Sequence, residues 1–148
     1  VTTTGHRQPA TSAHRALWPL FICDAAALVA SGLIHLHLWD IAYRHVKTLD
    51  VLFLVQVAAA ILLAIALLVT RHLLVVLASL ALMAGTIVGF ILAETVGIFG
   101  FKLPITTSLA IEVLVIEIVG IILLAFTGAL MWKSAGRKAL LRGGHSGR

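Results

Sequence analysis

Residues 51–93 read VLFLVQVAAAILLAIALLVTRHLLVVLASLALMAGTIVGFILA: two apolar runs, Val51–Val69 and Leu73–Ala93, joined by Thr70-Arg71-His72. A helix of about twenty apolar residues crosses a hydrocarbon layer about 30 Å thick, and so short a link makes the two runs an antiparallel hairpin. An unbroken helix satisfies its own backbone hydrogen bonds, which a lipid interior demands, so helices and not strands are expected. Two further runs, Ala16–Trp39 and Leu109–Trp132, flank the hairpin. The expected fold is therefore an all-α bundle of four transmembrane helices over 16–39, 51–69, 73–93 and 109–132, with a tail at 1–15 and a basic tail at 133–148.

Composition agrees: 61% of the 148 residues are hydrophobic and 11% are charged, too little polar sequence to cover a soluble globule. The spans leave no room for a soluble catalytic domain, and no nucleophile–base pair marks an enzyme. Ser31 and His35 stand one helical turn apart, a spacing that ordinary intrahelical hydrogen bonds also use. Pro19 falls near the start of the first span, where a missing N–H does little harm, and Pro104 falls in the loop after the third.

Val1 reads as a GUG initiation codon translated literally, which points to a bacterium of high GC content and to its plasma membrane. The first run is longer than a signal-peptide core, and Leu28-Val29-Ala30 lacks the small residue expected three positions before a cut, so the run is expected to stay as a span. The single cysteine, Cys23, has no internal disulfide partner and is expected as a small buried apolar residue.

Orientation follows from the Lys and Arg distribution. With both termini cytoplasmic, Arg7, Arg15, Arg71, Lys133, Arg137, Lys138, Arg142 and Arg148 lie inside, against Arg44, Lys47 and Lys102 outside. The net charge of +5 is then mainly a property of the cytoplasmic face, which suits anionic lipid and not nucleic acid.

Helices in lipid associate through close backbone approach and interhelical hydrogen bonds. Ala81, Gly85, Gly89 and Ala93 recur every fourth residue on the third span, with Gly85–Gly89 as a GxxxG core. The series is expected to pack within the bundle or against another copy, and Ala60 and Ala64 on the second span form a weaker matching seam.

Three acids fall within the spans, Asp24 in the first and Glu112 and Glu117 in the fourth, with no Lys or Arg in any span core to pair with them. An ionised acid at the bilayer centre costs about 3 kcal/mol on insertion scales, so each requires a proton, a hydrogen-bonding partner or a bound cation. Asp24, Ser31 and His35 share one helical face, and Glu117, Gly120, Leu124 and Gly128 share another. Both faces are expected to point inward, with Asp24 and Glu117 near the midplane. Ser31, Gln56 on the second span and Thr86 on the third are the expected polar partners.

A second polar group gathers at the outer leaflet: His35, His37, Asp40, His45, Asp50, Glu94 and Glu112. Imidazole with carboxylate suits Zn²⁺ or Cu²⁺, and His35, His37 and Glu94 are the candidate ligands. Because His35 and His37 point about 200° apart on a helix, one ion can take both only if the helix ends near Leu36. No other cofactor is expected. The other role for these histidines is to anchor a helix end at the interface with Trp39 and Tyr43. The connection 40–50 mixes charged and apolar residues, as a short surface helix would, and Asp50 is the candidate N-cap of the second span.

The stretch Gly32-Leu33-Ile34-His35-Leu36-His37-Leu38-Trp39, with Tyr43 and Leu52-Phe53-Leu54-Val55-Gln56, resembles the first half of small four-helix membrane proteins of actinobacteria. The resemblance implies a bacterial source and four spans, and no catalytic residue. The layout is also similar to that of small multidrug exporters, which carry an acid in their first span, although the residues around Asp24 depart from their pattern. Together these features lead to an expectation of a non-enzymatic accessory subunit, part of a homo-oligomer or a larger membrane complex. Proton- or cation-coupled transport and outer-leaflet metal binding are the alternatives.

Overall fold

A computed structural model describes residues 17–46, 48–95 and 108–143, without the side chains at 94, 108, 109 and 137–143. Four α-helices carry the described chain: α1, Trp18–Leu38; α2, Leu49–Thr70; α3, Leu73–Thr95; and α4, Ser108–Gly143. All four are long and apolar enough to cross a membrane, and no strand occurs among the described residues. Pro19 sits in the opening turn of α1, where the helix has no use for its missing N–H. Pro104 lies outside the described residues.

Three boundaries differ from the sequence expectation. The chain after Leu38 does not form a separate surface helix; it continues from α1 as a five-residue π-helical turn, Trp39–Tyr43, closed by Arg44 N–H on the Trp39 carbonyl at 2.9 Å. Asp50 does not cap α2. The helix starts at Leu49 behind Thr48, and Asp50 lies within its first turn, accepting the Val51 N–H at 2.7 Å. At the other end of the chain, α4 runs past Trp132 through Lys133 to Gly143, so the first part of the basic tail is helical.

The helices form a ring in which α1 touches α2 and α4, and α3 touches the same two. Each contact is antiparallel. Gly32 meets Ala60 while Trp18 meets Arg71 across α1–α2; Gly120 meets Met83 while Gly128 meets Val76 across α3–α4. The α1 start, the 70–72 link and the α4 end therefore share one membrane face. There the Arg71 guanidinium lies 4.3 Å from the centre of the Trp18 ring. At the opposite face, Phe53 is stacked on Tyr43 at 4.6 Å and tilted against His35 at 5.6 Å.

Phe21, Leu28, Leu67, Val76, Met83 and Leu124 fill the centre. Small residues let the backbones close on it: a Cβ on Gly32 would stand 3.4 Å from that of Ala60, and one on Gly120 would collide with the Met83 sulfur. The α3 series behaves differently from an internal seam. Ala93 is buried, but Ala81 and Gly85 are exposed, and neither Gly85 nor Gly89 has any atom within 4 Å of where a Cβ would be. Within one copy the series is thus not the packing surface. Val76, Ser79 and Met83 form the buried ridge of α3, and Gly85 lies about 200° around the helix from Met83. Cys23 is likewise exposed and not buried, on the outer side of α1.

Candidate functional site

The first span meets the fourth through its polar face. Asp24, Ser31 and His35 recur at seven and four residues, close to whole turns, and all three are buried, Asp24 completely. Facing them from α4 are Glu117, 1% exposed, and Thr127, 0% exposed. Gly120 and Leu124 lie between these two on the same face of α4.

Two layers result. In the layer nearer the π-helical turn, the Ser31 hydroxyl donates to Glu117 Oε1 at 2.5 Å, while Oε2 has no hydrogen-bond partner. His35 Nδ1–H donates to the Ser31 carbonyl at 2.8 Å. The Ser31–His35 pair is therefore an ordinary intrahelical one through the backbone, and the serine hydroxyl is directed at the acid on the other helix. Seven residues along α1, about 10 Å, Asp24 faces Thr127 in the second layer. Neither oxygen of Asp24 nor the Thr127 hydroxyl has a partner of hydrogen-bonding geometry. The two acids thus belong to different layers, about two helical turns apart along α1.

The expected partners divide. Ser31 bonds an acid, whereas Thr86 donates to the Leu82 carbonyl of its own helix at 3.0 Å and Gln56 Nε2 has no partner. The reason is rotational. Toward α1, α2 presents Ala60 and Ala64, and α3 stands diagonally across the ring, so the hydroxyl that reaches Asp24 comes from α4. Helical periodicity counted from Glu117 leads to Gly120, Leu124 and Gly128 and passes over Thr127. Its signal was a hydroxyl on the fourth span at the depth of Asp24 in an antiparallel pair.

The remaining candidates do not join these layers. Glu112 is exposed near the start of α4, and the Glu94 side chain lies outside the described residues. His37 is exposed while His35 is buried. The helix runs through both histidines into the π-helical turn, so the early helix end that a shared metal ion required is not present. Among the described residues no three His, Cys, Asp or Glu side chains converge as a metal site.

Comparison with protein-family models, with curated proteins and with solved structures found no match to this chain. The functional reading rests on geometry alone.

Proposed function

We propose that this multi-pass membrane protein takes up and releases a proton, in exchange for a small cation, at the carboxyl groups of Asp24 and Glu117. The observation that carries the reading is Asp24: a carboxyl group wholly buried between two membrane helices, with neither oxygen bonded and with no Lys or Arg in any span core. A charge in that position is expensive unless a proton or a cation neutralises it, and intramembrane acids mark ion and proton pathways for that reason. Glu117 has the same character in milder form, one oxygen held by Ser31 and the other open to a proton. Four helices enclose little space, so the working unit in this reading is a homo-oligomer.

The test uses everted membrane vesicles containing the protein, energised by respiration and reported by acridine-orange fluorescence. Addition of Na⁺, K⁺ or ethidium is expected to release protons in wild type, and Asp24→Asn and Glu117→Gln are each expected to abolish the release. If no probe evokes proton movement, or if both variants behave as wild type, the carboxyl groups do not serve transport.

A second reading, an accessory subunit of a membrane complex, is favoured by one observation. Gly85 and Gly89 face outward from α3 with nothing against them, where a helix from another chain can approach closely. Under this reading a larger partner copurifies with wild type and is lost from Gly85→Leu, while activity of the complex survives Asp24→Asn.

A further inference from the structure

The lipid-facing side of α1 and α2 carries a feature unconnected with the carboxyl groups. A groove of about 500 Å³ runs between the two helices, lined only by apolar side chains, with Ala26 and Ala30 of α1 and the buried Ala25 and Ala64 among them. It extends from Ile22 and Leu68 at one end to Leu33 and Ile61 at the other. Eleven residues of α1 make about 16 Å, half of a hydrocarbon core about 30 Å thick, so the groove is about one leaflet deep.

The end at Ile22 and Leu68 opens toward the membrane face that holds the α1 start, the 70–72 link and the α4 end, and Arg71 stands there. Its position is built into the backbone. Arg71 adopts a left-handed conformation, φ 52°, closes α2 through its N–H on the Leu67 carbonyl at 3.1 Å, and directs Nε to the carbonyl of Leu68, itself a groove residue, at 3.4 Å. The Trp18 ring, one turn before Ile22, lies against the guanidinium. Among the described residues Arg71 has no acidic partner. A guanidinium fork held at the interface above an apolar slot matches a phosphate joined to a hydrocarbon chain.

We propose that this groove binds one anionic phospholipid, its acyl chain between α1 and α2 and its phosphate on Arg71. The cationic side chain at one end of a wholly apolar slot favours a hydrocarbon chain with an anionic head over a helix from a second copy, which would leave the guanidinium without an anion. Arg71 favours an anionic headgroup over a zwitterionic one, whose ammonium it would repel.

Native mass spectrometry of the protein in nonionic detergent, after addition of phosphatidylglycerol or phosphatidylcholine, tests the assignment. One phosphatidylglycerol per chain should be retained, in preference to phosphatidylcholine by about fivefold, the effect of a single basic side chain at a charged surface. Arg71→Asn, which tolerates the left-handed backbone, should remove the preference, and Arg71→Lys should keep it. Ala26→Leu and Ala30→Leu add bulk on the groove side of α1 and should lower retention of both lipids, with helix content unchanged by circular dichroism. Equal retention of the two lipids by wild type would overturn the proposal. So would unchanged retention in both leucine variants, or a lipid-free dimer that Ala30→Leu dissociates.

Discussion

The polar residues between α1 and α4 differ in what they contribute to stability. Ser31 gives Glu117 a hydrogen bond, and such bonds between membrane helices are worth about 0.6 kcal/mol on average, with an upper range near 2. Ser31→Ala leaves a buried carboxyl group with neither oxygen bonded, so a loss of about 1 kcal/mol is expected by SDS titration of the folded fraction. Glu117→Gln retains an acceptor oxygen and should lose less. Asp24 behaves in the opposite sense. Its oxygens are desolvated and face only the Thr127 hydroxyl, with no partner of hydrogen-bonding geometry in return, so Asp24→Leu should raise stability by about 1–2 kcal/mol in the same titration. Should it destabilise instead, Asp24 holds the bundle together and its placement gives no reason to assign it a proton-carrying role. A residue that costs stability where an apolar one would serve is the pattern of function retained against folding.

At the scale of the helices, strain and close packing each sit at identifiable positions. Thr48 precedes α2 with φ 77°, a backbone region that a β-branched side chain rarely adopts. Thr48→Gly should relieve about 1 kcal/mol of that strain and raise the thermal midpoint in detergent. No rise would mean that the turn after Tyr43 tolerates the threonine without cost. Two glycines then distinguish inner from outer helix faces. Gly120→Leu drives a side chain into Met83 and should lose about 2 kcal/mol or more, while Gly85→Leu enters open space on α3 and should leave the stability of a single copy unchanged. Equal losses in both variants would mean that another chain covers the Gly85 face. The number and type of these helices were legible in the sequence, because apolar length and backbone satisfaction are properties of each segment alone. The π-helical turn after Leu38 was not legible, since it is stabilised by Tyr43 reaching Phe53 on the next helix.

For the whole molecule, the ring of four antiparallel helices places the π-helical turn and the 70–72 link on opposite membrane faces. The Lys and Arg distribution in the sequence predicts that the face with the α1 start, the 70–72 link and the α4 end is cytoplasmic. Cys23 is the only native cysteine, so a Cys23→Ala background gives clean labelling. In intact cells a membrane-impermeant maleimide should modify Thr48→Cys directly, and should modify Ala135→Cys only after permeabilisation. The reverse pattern would place the α4 end outside.

The amino-acid sequence alone determined that this chain is a four-helix membrane protein and that its acids are its expensive residues. Both follow from local quantities: the length of an apolar run against the thickness of lipid, and the cost of a carboxyl group within it. Which groups meet those acids was decided only by tertiary structure. Gln56, Thr86 and Thr127 are equally polar on paper, and choosing among them depends on which helices are neighbours and how each is rotated about its axis. A rotation of 100° per residue turns one helix face into another without altering any segment's hydropathy. The same rotation turned Gly85 and Gly89 outward and Gly120 and Gly128 inward, and packing, not composition, selected between them.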